Sequence, residues 1–256
     1  MEKKQLAQIL QIVNEGNPNN FNINNSGLAA LGGLLFYPKK GQENRSQELL
    51  NALKDALPNT YKDVLSSLEK YHLTSYYTPT EVINYQISQL KVNGFNPSTI
   101  LEPSAGNGAY VHQLKKAFPD AKITALEPDL LSHSILRANN TRSNNVTVIN
   151  TTFEEYFLEN KDKETFDLIM TNIPFGDIPI KSGFKHEYIS DDGLKNVGNY
   201  FNFYAPQMTA TGGITSLLTS KNFADKANYS KYRASLLQNN DLIIDNRFNN
   251  TLFKSE

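Results

Sequence analysis

Two regimes of apolar spacing divide the chain. In residues 2–72 apolar positions recur three and four apart, in QLAQILQIV, GLAALGGLLF, SQELLNALKDAL and YKDVLSSLEKY. That spacing gives a helix one face to bury. The Asn-rich stretch 17–25 separates the first two of these segments. From about Pro97 short apolar runs alternate with helical segments. The predicted strands are TILEP (99–103), KITALEP (122–128), VTVIN (146–150), FDLIMTN (166–172), GITSLLTS (213–220) and DLIIDNRF (241–248). Strands that alternate with helices predict a parallel, doubly wound sheet. The expected fold class is therefore α/β: a Rossmann-like, mostly parallel sheet over residues 75–256, with a helical N-terminal extension over residues 1–74. Asp129 ahead of LLSHSILRANN and Ser230 ahead of the last helical segment are the predicted helix starts.

Composition narrows the chemistry. The 256 residues are 39% hydrophobic, enough for one substantial core. There is no Cys, which excludes disulfides and thiolate-bound zinc. The four histidines, His72, His112, His133 and His186, do not fall at a metal-ligand spacing, so no metal is expected. The start, MEKKQLAQILQIVNEG, lacks the apolar run of a signal peptide. No stretch approaches the roughly 20 apolar residues of a membrane span. A soluble, cytoplasmic chain is expected. The net charge of −1 argues against an electrostatic clamp for nucleic acid within these residues.

ILEPSAGNGAYV reads as a strand, a loop of small residues and a helix start. Gly106 and Gly108 let the backbone turn tightly and approach a ligand beside a helix amino terminus. Glu127 closes the second strand, where a carboxylate can accept hydrogen bonds from ribose hydroxyls. A dinucleotide site calls for a third glycine, and Val111 stands there instead. Glu102 would repel a pyrophosphate but suits the ammonium of a methionine group. The candidate cofactor is thus S-adenosylmethionine rather than NAD, with Glu102, Ser104, Gly106, Gly108 and Glu127 as candidate contacts. The competing reading is a tight turn with no ligand.

DLIMTNIPFGD is an apolar strand that ends in an amide and a rigid turn tipped by an aromatic ring. With LEPSAGNG before it and SYYTPTEVINY (75–85) earlier still, it resembles the N-6 adenine-specific DNA methyltransferases. Within them it is similar to the methylase portion of large methylase–helicase proteins of phages and conjugative elements. The resemblance covers roughly residues 60–250. It implies a catalytic turn of Asn172, Ile173, Pro174 and Phe175, with the amide and a main-chain carbonyl accepting from the adenine amine and Phe175 stacking on the base. It also implies that Tyr77 and Thr78 meet the cofactor and that Phe153 packs on the cofactor's adenine.

Three features bear on how far the resemblance extends. Ile173 stands where the family has its first proline, which puts loop rigidity in question, and Thr152 stands where many members keep an Asp. Thr78–Pro79 has a rival reading as a helix cap, and Phe153 reads equally as core. DLIIDNRF is expected to be a sixth strand, with neither the family's seventh strand nor a target-recognition domain after it. DNA is the expected partner, through a recognition domain or subunit outside this chain. Residues 178–200, with Lys181, Lys185 and His186, read as a long loop able to act as a lid or face DNA. The alternatives are methylation of RNA or of a protein glutamine, or a catalytically degenerate interaction module.

Overall fold

The alternation of apolar runs and helices builds a single parallel sheet. The computed structural model describes residues 35–36, 38–71, 78–163, 165–174, 194 and 196–249. Its strands are β1 (Thr99–Glu102), β2 (Lys122–Leu126), β3 (Val146–Ile149), β4 (Phe166–Asn172) and β5 (Thr209–Leu218). They lie in the order β3-β2-β1-β4-β5, and every pairing is parallel. The chain runs outward from β1 through β2 to β3, then returns to place β4 on the other side of β1. That reversal opens a crevice at the carboxyl ends of β1 and β4, where such sheets hold ligands.

Both faces of the sheet are covered, as a parallel sheet requires. Successive side chains of a strand point to opposite faces. Ile100 accordingly joins one cluster, with Ile83, Ile87 and Leu90 of α3 (Thr80–Val92) and Tyr110 and Leu114 of α4 (Ala109–Ala117). Leu101 joins the other, with Phe153 and Phe157 of α6 (Phe153–Asn160) and Tyr200, Phe201 and Tyr204 of α7 (Val197–Tyr204). Ile100 and Leu101 are each 0% exposed. Burial of such a side chain is worth about 1.5–3 kcal/mol. The start of β1 is pinned to β4 by Asp167, whose Oδ2 accepts from Ser98 N at 2.8 Å and Thr99 N at 2.9 Å.

The N-terminal helices join this framework through α5 (Leu130–Asn139), which follows β2. Leu49 and Leu53 of α1 (Glu43–Ala56) and Val64 and Leu68 of α2 (Tyr61–Tyr71) pack with Leu131, Ile135 and Ala138 of α5. Asp129 caps α5 as the sequence predicts, accepting from Ser132 N at 2.9 Å.

Three expectations need correction. DLIIDNRF is not a strand: residues 241–248 form no ladder, and Leu242, Ile243 and Ile244 are 72%, 70% and 47% exposed. The segment is held by Arg247, which pairs with Asp225 and Asp245, and by Phe248, whose ring meets Tyr85 edge-on at 5.7 Å. An apolar run becomes a strand only where a neighbouring backbone completes its hydrogen bonds. Between this segment and β5 lies a cleft of about 2500 Å³. β5 also begins earlier than expected, at Thr209. Finally, the expected loop over 178–200 ends in helix: α7 starts at Val197, with the Asn196 side chain accepting from Gly198 N. The first two predicted helices and residues 178–193 fall almost wholly outside the described residues.

Candidate active site

The carboxyl end of β1 delivers Glu102 into the crevice at 0% exposure. Its Oε1 accepts from the Thr171 hydroxyl on β4 and lies 3.4 Å from Ser104 N. Its Oε2 is buried without a hydrogen-bond partner among the described residues. A buried carboxylate oxygen left this way is costly unless something supplies a proton or a positive charge. Burial, reinforced by the charge of Glu127, pushes Glu102 up to about 8 against the opposing pull of the Thr171 hydrogen bond.

The loop that follows brings the second carboxylate in. Gly106 (φ 55) and Gly108 (φ 103) both take left-handed backbone conformations. A Cβ on Gly108 would sit 2.7 Å from Leu136 Cδ1 of α5, whereas the space over Gly106 is open. Gly108 therefore serves close helix packing, and Gly106 leaves room for a ligand. Gly106 N donates to Glu127 Oε2 at 2.7 Å, and Asp129 N donates to Glu127 Oε1 at 2.8 Å. Each oxygen retains further acceptor capacity. Glu127 is likewise pushed up to about 8, by burial and by the charge of Asp129.

The expected catalytic turn leaves β4 beside these groups. Asn172 is the last residue of β4, and its side-chain oxygen is buried. Ile173 N donates to Leu218 O at 3.1 Å, which carries the β4–β5 pairing one residue into the turn. The Ile173 side chain is 3% exposed and packs in the aromatic cluster, so packing anchors the turn where the family has a proline. Pro174 follows, its carbonyl 3.3 Å from where a Cβ on Gly198 would lie. Asn172 also lines the cleft beside β5, with Asn202 and Thr219. Asn202 Nδ2 holds that wall by donating to Gly198 O at 2.8 Å and Thr219 Oγ1 at 3.0 Å. Phe175 and Tyr77 lie outside the described residues.

Two other sequence-predicted residues are placed less directly. Thr78 hydrogen-bonds the Tyr110 side chain, whose hydroxyl donates to Gln86 Oε1 at 2.7 Å. It does not cap α3: the residue at that position is Pro79, and no side chain caps the helix. Phe153 opens α6 at 1% exposure, its ring 4.6 Å from Phe201 and 5.9 Å from Tyr200. Thr152 forms a capping box with Glu155, which occupies its hydroxyl.

Sequence reasoning missed Thr171, Asp129 as a site residue, and Ser67. Ser67 Oγ of α2 donates to Asp129 Oδ1 at 2.7 Å and accepts from Leu130 N at 2.9 Å. No local pattern marks a serine on a helix 62 residues upstream, and the role of Thr171 depends on β4 lying beside β1. Among the described residues no three His, Asp or Glu are grouped to hold a metal, and no helix is long and apolar enough to cross a membrane.

Known proteins resemble the chain in fold and, over part of its length, in sequence. The chain aligns over 85% of its length with a structure described as the modification subunit of a type I restriction enzyme from Vibrio vulnificus YJ016, at TM-score 0.53 and 16% identity, covering 44% of that chain. It aligns over 92% of its length with a class I S-adenosylmethionine-dependent methyltransferase structure from Listeria monocytogenes, at TM-score 0.53 and 12% identity, covering 79% of that chain. The fold is that of the class I S-adenosylmethionine-dependent methyltransferases. In sequence, 63 residues are 38% identical to the type II methyltransferase M.XamI of Xanthomonas campestris pv. amaranthicola. A longer stretch of 123 residues is 28% identical to the type II methyltransferase M.CvrRI of Paramecium bursaria Chlorella virus XZ-6E. Over these stretches the chain is similar to type II methyltransferases. The matches span 12% and 29% of the lengths of those two proteins. No family model matches the chain.

Proposed function

We propose that this methyltransferase relative carries a methyl group from S-adenosylmethionine to the exocyclic amine of adenine in DNA. The observation that carries the reading is the meeting, at one sheet edge, of the Glu102 carboxylate with the Asn172 turn through the Thr171 hydroxyl.

The residues fit the cofactor. Glu102 Oε2, buried and unfilled, suits the ammonium of the methionine group. Glu127 suits the ribose hydroxyls, and the open space over Gly106 allows close approach. The bound sulfonium would supply an electrophilic methyl group. The target amine is a weak nucleophile, because its lone pair is delocalised into the ring. Acceptors at the Asn172 side-chain oxygen and a main-chain carbonyl of the turn would draw the lone pair out and stabilise the positive charge that develops on nitrogen. On accepting the methyl group that the sulfonium would release, the amine would lose a proton to solvent. Precise placement of the amine supplies much of the remaining acceleration. The cleft beside Asn172 gives a base room once it has left the duplex, and Phe175 would stack on it.

The type II methyltransferases that match in sequence and the restriction-enzyme modification subunit that matches in fold support DNA as the substrate. The net charge of −1 supports a recognition domain or subunit beyond these residues. The test is methyl transfer from labelled S-adenosylmethionine to duplex DNA, followed by nucleoside mass spectrometry. N-6-methyladenine that disappears in Asn172→Ala supports the proposal. Label found instead in RNA or a protein glutamine would move the substrate, and binding without transfer to any acceptor would favour an interaction module.

A further inference from the structure

We propose that Thr171 is a positioning residue, aiming the Glu102 carboxylate so that Oε2 faces the ammonium of the cofactor. The inference rests on the reading of this crevice as a cofactor site.

Both side chains are 0% exposed, and they belong to adjacent strands. A glutamate has three side-chain torsions, the last of them broad, so its carboxylate plane is not fixed by rotamer preference alone. Threonine is stiff about its single torsion because it is branched at Cβ. The Thr171 hydroxyl carries one proton. It has two acceptors in reach, Glu102 Oε1 at 2.5 Å and Asn172 O at 3.3 Å. The nearer oxygen, that of Glu102, takes it. Oε1 is thereby committed to the protein, and Oε2 is the oxygen left for a ligand. The same residue sits directly before Asn172, so the end of β4 carries both the side chain that aims the carboxylate and the start of the turn.

The test compares wild type, Thr171→Val and Thr171→Ser by calorimetric titration with two ligands. One is S-adenosylmethionine. The other is methylthioadenosine, which keeps the nucleoside and lacks the amino acid. Valine keeps the shape and removes the donor; serine keeps the donor. The expected result is about tenfold weaker S-adenosylmethionine binding in Thr171→Val, the scale of a lost hydrogen bond to a charged group. Methylthioadenosine affinity stays unchanged, and Thr171→Ser restores binding of S-adenosylmethionine. Equal weakening of both ligands would show a merely structural role and overturn the proposal, as would unchanged affinity for both. Failure of wild type to bind either ligand would overturn the cofactor reading itself, a result separable from any effect of Thr171.

Discussion

Ser67 and Asp129, 62 residues apart in sequence, are joined by a 2.7 Å hydrogen bond that ties the N-terminal helices to the candidate cofactor site. From Asp129 the connection continues through its main-chain N–H to Glu127, and from Glu127 to Gly106 N in the small-residue loop. The N-terminal helices thus buttress the loop as well as covering α5. Asp129 is only 3% exposed, so removing its donor leaves a buried carboxylate oxygen under-satisfied. Ser67→Ala is expected to cost about 1–3 kcal/mol of stability in urea unfolding. It is also expected to weaken methylthioadenosine and S-adenosylmethionine alike, because it acts on the nucleoside side.

The two buried carboxylates give the ligand-free protein a signed pH dependence. Glu102 and Glu127 sit at about 8 in the folded chain, above their ordinary value of 4.5. The folded state therefore holds more protons than the unfolded state between those limits. Their contribution to stability is complete below about pH 4.5 and is lost as pH rises through about 8. Denaturation midpoints should fall as pH rises from about 4.5 to about 8, the window those values set, and Glu102→Gln should flatten the fall. A cationic ligand reverses the preference at Glu102, so binding near neutral pH should release protons. Calorimetric enthalpies that vary with the ionisation heat of the buffer would report that release.

The two loop glycines separate by function. Gly108→Ala places a Cβ 2.7 Å from Leu136 Cδ1 on a backbone at φ 103. Its expected cost is about 1–3 kcal/mol of stability, the scale of a non-glycine residue held in a sparsely populated conformation. Gly106→Ala meets open space at φ 55 and should cost about 1–2 kcal/mol. Its larger effect should be on cofactor affinity, because the added methyl stands where the ligand approaches. Thermal unfolding and calorimetry on both variants check the contrast.

Phe153 anchors the aromatic layer that also holds Ile173 of the candidate catalytic turn. It contacts Phe157, Tyr200 and Phe201, and the cluster also contains Ile173. Phe153→Ala is expected to cost about 3–5 kcal/mol in equilibrium unfolding. Phe153→Leu should recover most of that stability, and any cofactor defect that persists in it would mark a ligand contact beyond packing.

The sheet was legible because each of β1 to β4 is an apolar run bounded by turn residues, and Glu102, Glu127 and Asn172 were legible because they sit at or just beyond strand ends. DLIIDNRF carried the same local signal and failed, since no neighbouring backbone pairs with it. The first residues of α7, 197–200, lay in the stretch read as loop, and the run of Tyr200, Phe201, Phe203 and Tyr204 has no clean polar face to mark the rest; it is buried nearly all round. Thr171 and Ser67 were illegible for a different reason. Their roles depend on which strands and helices become neighbours, and one hydroxyl looks like another until the topology is known.

Glu102 and Glu127 are proposed to frame a site for S-adenosylmethionine. Calorimetric titration of wild type and Glu127→Ala with that ligand tests it most directly. The account predicts one site per chain in wild type and binding weakened at least about tenfold in the variant, the scale of charge-assisted hydrogen bonds lost from a buried carboxylate. Absence of binding in wild type, or equal affinity in the two proteins, would contradict it.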